Sequence, residues 1–511
     1  MLDNLKHLVK HSVIYSISNV AMKSSGVILL PLYTHYFSVE EYGRLGLILV
    51  IIVLFSQSLV LGQGVSIIRY NNSSEFSSER KSILFTLTIL ILFTIAAFVI
   101  ISESFLVQIS NWFGEVTLYK DFLKIAIYII AFTTINNLFL SKVRADDNSV
   151  LYTLSAIAKV ILMVALSIYL IVDRGFGIDG ALYSQLAGEA FQTLLVIPKI
   201  IRQMKMKFEY SIIGQSLKFG IPLIFSAMAI NLLNGSDRFI LKFLSGETEL
   251  GLYELGYRVA GVVNMFVIMP FGLTLMPLAY KLYKQEGDKE YYKKLKTYVA
   301  FAFVWSGFAL SLYGKELVEL FAQQEAYYSA SEVVSLIVLA YVIYGISMIS
   351  SLGMYLTGNN YFVAYITLFC AALNIGLNFW LIPLYGMMGA ALNTVFAFAL
   401  LDILSNIASN KFYKIDYEHL KLFKLFILGI LIFMVSIYLN EFSLILRIFL
   451  KLVLIILFPF IIIFTGYFSK VELKSISGAI KKWQNPMNWK FNMEIERTRK
   501  ENTGSSNKTD C

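Results

Sequence analysis

The sequence predicts an all-α polytopic membrane protein, and three observations predict it. Of 511 residues, 57% are hydrophobic and 15% charged, with a mean hydropathy of +0.68. Soluble domains run nearer about 45–50% and about 25%. The apolar residues gather into runs of about 20, the length of helix that crosses a hydrocarbon core. These runs recur along the chain with short polar connections, so about fourteen transmembrane helices are expected. A soluble globular protein, a coiled coil and a disordered chain are excluded. Forty Phe and 31 Tyr suit lipid-facing surface and aromatic belts at the membrane boundaries.

The expected spans centre near Val20, Val53, Leu92, Ile129, Val160, Ala187, Ala227, Val267, Phe303, Val342, Phe369, Val395, Ile430 and Leu454. The first run follows Lys6 and Lys10, contains Lys23 and Pro31 and has no small-residue cleavage site, so it reads as a retained helix. Pro31, Pro222, Pro270 and Pro277 interrupt spans one, seven and eight. Such breaks expose backbone to a cavity or let a helix bend, unless neighbours re-satisfy the freed groups.

One side of the membrane collects roughly twice as many Lys and Arg as the other, which places both termini in the cytoplasm. The same bias accounts for the net charge of +9, which in a soluble chain would suggest nucleic acid. Cys370 lies inside a span and Cys511 is the last residue, so neither a disulfide framework nor a prenylation box is expected. In the tail, Leu473, Ile476, Ile480 and Trp483 recur at helical spacing beside Lys474, Lys481 and Lys482. That suits a short helix on the anionic inner leaflet, or an unstructured basic tail.

The chain contains a repeat. A shift of 208 positions brings Lys10 onto Lys218, Ala21 onto Ala229, Gly43 onto Gly251, Gly64 onto Gly272 and Lys81 onto Lys289. One residue later in register, GIDGAL from Gly177 meets GMMGAA from Gly386. Two lobes of six helices follow, residues 1–210 and 211–415, then two further helices over 416–468 and a basic cytoplasmic tail over 469–511. Six is even, so the lobes enter the membrane with the same polarity. Parallel repeats of this kind rock around a midplane site in some transporters.

The stretches LLPLYTHYFSVEEYGRLGLI (Leu29 to Ile48), SDRFILKFLSGETELGLYELGYRVA (Ser236 to Ala260) and NIGLNFWLIPLYGMMGAAL (Asn374 to Leu392) resemble the polysaccharide flippases of the multidrug/oligosaccharidyl-lipid/polysaccharide (MOP) exporter superfamily. The resemblance covers all but the tail. It implies a V-shaped, MATE-like pairing of the lobes in the bacterial inner membrane. It also implies flipping of an undecaprenyl-diphosphate-linked oligosaccharide for O-antigen, capsule or exopolysaccharide synthesis. Membrane lipids, a polysaccharide polymerase and a chain-length regulator are the partners it suggests. His35 departs from the family, standing where many members carry an arginine, and the dense arginine cluster of the lipid II branch is missing.

Charges inside spans are costly, about 2.5–3.5 kcal/mol each on the insertion scale, and usually face a cavity or a partner. Lys23, Lys159, Glu189, Asp237, Arg238 and Asp402 are such charges. Lys23, Lys159 and Arg238 are expected to line a cationic cavity, because ammonium and guanidinium groups solvate phosphate oxygens. Lys23 is expected to serve the pyrophosphate, with Glu189 its resting counter-ion. Glu189, Asp402 and Asp237 are candidates for counter-ions or for coupling to a proton or sodium gradient. Asp237 and Arg238 approach the outer rim; the competing reading has Lys23 and Glu189 neutralise each other and makes Asp237–Arg238 a surface ion pair. Asn231 and Asn234 extend the polar face of span seven, or simply bond neighbouring helices.

Neither a GxxxxGK[ST] loop nor a CxxC or HExxH motif occurs, and His7 with His11 lacks further metal ligands, so no cofactor or catalytic activity is expected. A multidrug exporter of the same superfamily and a membrane polysaccharide polymerase or glycosyltransferase are the alternatives.

Overall fold

The computed structural model describes residues 25–73, 75–114 and 116–474, and its regular elements are all helical. In the first half they are α1 (Leu30–Tyr36), α2 (Val39–Leu59), α3 (Gln63–Asn72), α4 (Arg80–Ser104), α5 (Leu106–Asn111), α6 (Val116–Ala145), α7 (Ser149–Ile168) and α8 (Gly177–Arg202). The second half holds α9 (Tyr210–Ser245), α10 (Glu247–Val263), α11 (Met269–Leu282), α12 (Asp288–Leu312), α13 (Gly314–Phe321), α14 (Ser331–Ser350), α15 (Leu352–Leu356) and α16 (Asn360–Phe412). Helices α17 (His419–Ile437) and α18 (Leu444–Phe464) follow. Two compact units result, residues 1–418 and 419–511.

Local chemistry sets the helix ends. Ser38 opens α2 with a capping box: its hydroxyl accepts from Glu41 N at 3.2 Å, and the Glu41 carboxylate accepts from Ser38 N at 2.8 Å. The helix stops where Leu61 and Gly62 turn to positive φ. The two turns matched by the repeat behave alike, for Gly177 and Gly386 have φ of 56° and 54°. Each opens a long helical run, and Gly386 breaks the 53-residue α16 in two. A five-residue π turn, Asn264–Ile268, separates α10 from α11, with Pro270 two residues after its end.

Ten helices among the described residues are long and apolar enough to span a membrane, or eleven if the pair Tyr210–Pro222 and Ala227–Ser245, bent by 44° near Pro222, counts as one span. Three causes separate this from the expected fourteen. The span centred at Val20 lies mostly outside the described residues, as do Lys23, the histidines His7 and His11, Cys511 and the tail beyond Lys474. Two expected spans share α16. Helix α8 is long enough but not apolar enough, since it carries Asp179, Gln185, Glu189 and Gln192.

Each half has its own packed interior. Ile67, Leu84, Leu87, Leu138 and Val196 join α3, α4, α6 and α8, and Leu233, Ala340, Cys370 and Phe398 join α9, α14 and α16. Outward faces carry exposed Phe93, Ile100, Ile161, Leu194 and Trp380, the apolar exterior a lipid-embedded protein requires.

The halves meet along α2 and α10. A Cβ on Gly43 would lie 2.8 Å from Gly251 N, and one on Gly251 would lie 1.9 Å from Val39 O. Only glycine permits this approach. Beside it, Thr248 Oγ1 donates to Glu40 Oε1 at 2.6 Å. Gly43 with Gly251 and Glu40 with Thr248 are the pairs that the 208-position shift equates. A charged cluster flanks them: Glu247 accepts from Arg44, from Lys242 at 2.7 Å and from Tyr119 at 2.6 Å. Tyr327 and Gln324 donate to backbone carbonyls of residues 35–38. At the far end of α2, Gly62 packs on Gly220, and Asn231 donates to Gln57 at 2.6 Å.

Candidate functional site

Three helices of the first half converge on Glu189. Lys159 Nζ, from α7, lies 2.5 Å from Glu189 Oε1. Asn136 of α6 donates through Nδ2 to Glu189 Oε2 at 2.8 Å and to its carbonyl at 2.9 Å. Thr193, one turn further along α8, donates to Asn136 Oδ1 at 2.8 Å and so fixes that carboxamide. Glu189 is buried, while Lys159 keeps part of its side chain accessible. If its lysine is drawn away, this carboxylate still keeps Asn136 on Oε2, which limits the cost of opening the pair.

Lys159 faces a cavity of about 220 Å³ whose lining includes Ser25, Tyr33, Lys159, Gln185, Glu189 and Arg258. Arg258 reaches it from α10, in the second half. Its Nε donates to Glu254 Oε1 at 3.0 Å, and its two terminal nitrogens have no hydrogen-bond partner among the described residues. A Cβ on Gly26 would sit 2.9 Å from Arg258 Nη1, so the absence of a side chain there lets the guanidinium lie against the chain leading into α1. The cavity thus presents an ammonium and the terminal edge of a guanidinium from opposite halves, about one carboxylate. That arrangement suits an anion with several oxygens.

Arg238 sits elsewhere. Its Nη1 donates to Asp237 Oδ1 at 2.9 Å and to Asn234 O at 2.6 Å, and its Nε donates to Glu254 Oε2 at 3.1 Å. The guanidinium lies 3.9 Å from the centre of the Tyr257 ring, and Tyr253 donates to Asp237 Oδ2 at 2.6 Å. Asp237 and Arg238 are therefore not a rim pair on the surface. They are buried, and Glu254 ties them to Arg258. Its Nε and Nη1 are engaged and the Tyr257 ring covers the guanidinium, so Arg238 holds Glu254 and is not among the residues that line the Lys159 cavity.

Asp402 belongs to a third cluster. Lys296 Nζ lies 3.8 Å from Asp402 Oδ1, and Ser350 bridges them, accepting from Lys296 at 2.6 Å and donating to Asp402 at 2.5 Å. The Tyr417 ring covers the ammonium at 4.4 Å.

Of the six expected site residues, then, Lys159 and Glu189 come together at a cavity, Asp237 and Arg238 form a buried pair, Asp402 is separate, and Lys23 lies outside the described residues. Glu189 has Lys159 and Asn136 as its described partners. Asn231 and Asn234 make interhelical or local hydrogen bonds. Sequence reading misses Arg258, although the Glu254–Arg258 spacing of four residues on one helix face marks it.

Comparison with known proteins bears on this geometry. The Polysacc_synt family, described as polysaccharide biosynthesis protein, matches residues 8–283, and MatE matches residues 222–380. The capsular polysaccharide biosynthesis protein CapF of Staphylococcus aureus is 31% identical over 182 residues, 34% of this chain. The match spans 44% of CapF, less than half of that relative. Among solved structures, the lipid II flippase MurJ in an inward closed conformation superposes with a TM-score of 0.71 at 17% identity, covering 89% of this chain and 98% of MurJ. An inward-facing multidrug resistance MATE family transporter of the MOP superfamily gives 0.65 at 15% identity, covering 78% and 97%. A MOP superfamily transporter from Pyrococcus furiosus gives 0.59 at 16%, covering 79% and 95%. At these identities the likeness concerns the fold, which is that of MATE-like transporters.

Proposed function

Because the chain belongs to the family of polysaccharide biosynthesis proteins, we propose that it flips a glycan linked to a polyprenyl diphosphate from one membrane leaflet to the other. The undecaprenyl-diphosphate-linked repeat unit of a capsule, O-antigen or exopolysaccharide is the substrate this reading names. The observation that carries it is the cavity lined by both Lys159 and Arg258. A diphosphate needs charge-assisted donors on several oxygens once it leaves water, and two cations from opposite halves can close on it.

In this mechanism the diphosphate competes with Glu189 for Lys159. Glu189 retains Asn136, and protonation of the freed carboxylate would avoid a bare buried charge. Glu189 is thereby a candidate for proton coupling, Asp402 a second candidate for a proton or sodium ion, and Lys23 a further proposed cation. Release on the expected outer side requires the Glu247 cluster and the Gly43–Gly251 contact to part. A polymerase and a chain-length regulator would act next on the glycan. No bond is made or broken by the flippase itself.

Drug export is the second reading, favoured by the MatE match over residues 222–380. A cavity edged by an ammonium and a guanidinium suits a cationic drug poorly. Deleting the gene separates the readings. Loss of surface polysaccharide, with lipid-linked units accumulating in the inner leaflet, is the expected result. Lipid-linked units that reach the outer leaflet but stay unpolymerised would make the protein a polymerase. Normal polysaccharide with drug sensitivity would make it an exporter.

A further inference from the structure

A second cavity, of about 180 Å³, shares Arg258 and Gly26 with the first. Its lining includes Gly26, Arg258, Gly261, Asn264, Met265 and Tyr341. Apart from Arg258 these residues are uncharged, and the character of the site differs accordingly from the Lys159 side. Asn264 opens the π turn Asn264–Ile268 between α10 and α11. Such turns widen the helix locally and swing a side chain out of the regular register, and they occur often at functional sites. The carboxamide of Asn264 makes no side-chain hydrogen bond among the described residues, and its Oδ1 is buried without a partner. Leaving a buried acceptor unpaired costs about 1–3 kcal/mol, so a retained one calls for an explanation. Gly261, one turn earlier, has open space where a Cβ would stand. The Tyr341 ring forms a wall, itself packed edge-on against Tyr257 at 5.5 Å.

We propose that this cavity is the subsite for the sugar joined directly to the diphosphate, with Asn264 reading a hydroxyl or amide N–H of that ring. The inference rests on the flippase reading above and deepens it. A carboxamide supplies both an acceptor and donors, an aromatic wall covers the apolar face of a pyranose, and the open space at Gly261 leaves room for the ring. Arg258 borders both cavities, where the phosphate–sugar linkage would lie. Discrimination should be strong, because a site built to hydrogen-bond a hydroxyl is left unpaired by a ligand that lacks it.

The test measures binding by purified protein in proteoliposomes. The probes are undecaprenyl diphosphate and undecaprenyl diphosphate bearing one N-acetylglucosamine. Wild type should bind the glycosylated lipid at least about tenfold tighter than the bare one, a difference of about 1.4 kcal/mol. Asn264→Leu, which keeps the volume, and Asn264→Ala should both erase that preference and leave affinity for the bare lipid within about twofold. The retained diphosphate affinity reports that each variant is folded. If both variants keep the preference, or wild type lacks one while binding bare undecaprenyl diphosphate, the sugar subsite is wrong and the flippase reading stands. If wild type binds neither lipid, the flippase reading falls and takes the subsite with it.

Discussion

Two lysine–carboxylate pairs, Lys159–Glu189 in the first half and Lys296–Asp402 in the second, use the same chemistry in opposite senses. In the first the cation is the accessible partner, 16% exposed against 5% for the carboxylate. In the second the order reverses, 1% for Lys296 and 25% for Asp402. Glu189 is anchored from behind by Asn136, so its lysine can be recruited without stranding it. Lys296 is shut in by Ser350 and Tyr417, so the negative end is what remains approachable. A buried pair therefore takes its role from which member faces the opening. In the proposed mechanism the first pair offers a cation to an anionic ligand, and the second offers a carboxylate to a proton or sodium ion.

The comparison can be broken in several ways, the strongest first. Lys159→Ala should reduce transport by tenfold or more, about 1.4 kcal/mol or above, while membrane levels match wild type. Equal transport at matched levels would remove the cation from the proposed site. Gly251→Ala places a methyl against Val39 O and should cost about 3 kcal/mol by overpacking. It should also leave the Glu247 end unable to close, seen as cysteine labelling near Arg44 that wild type resists. Lys296→Ala should lower the thermal midpoint in detergent, by an amount equivalent to about 2 kcal/mol, since it strands the partly accessible Asp402. Its affinity for a diphosphate lipid should not change; a lost affinity would mean that the two pairs do not divide the work. The smallest effect is expected from Ser38→Ala, about 1 kcal/mol through the lost cap of α2, measured as the same midpoint with transport intact.

Much of the helical framework was legible because apolar runs of spanning length have no other use. Spans near Val53, Leu92, Ile129, Val160, Phe303, Ile430 and Leu454 each fall within a membrane-length helix. Around Ala187 the polar Asp179, Gln185, Glu189 and Gln192 dilute the apolar signal. For the site, the cost of a charge in hydrocarbon exposed Lys159 and Glu189. Their partnership was not legible, because it depends on how α7 and α8 rotate to face one another, which hydropathy does not record. Arg238 looked available since its neighbours Tyr253 and Tyr257 lie far enough along the chain to hide the aromatic cover they give it. Arg258 was overlooked for the converse reason. Beside Glu254 it reads as an ordinary surface pair on one helix, although Glu254 is shared with Arg238 and cannot satisfy both guanidinium groups alone.

Near its start helix α2 touches the opposite half with Gly43 on Gly251, and the turn just beyond its end does so with Gly62 on Gly220. Mechanically it is a rod seated in two bearings, each too shallow to lock by side-chain interdigitation. Gly43 and Leu59 are about 24 Å apart along the axis, at 1.5 Å per residue. If one bearing serves as the fulcrum, a tilt of about 10° sweeps the other end through about 4 Å. Stroke at either mouth is then set by the length of the rod, and exchanging the fulcrum exchanges which mouth moves.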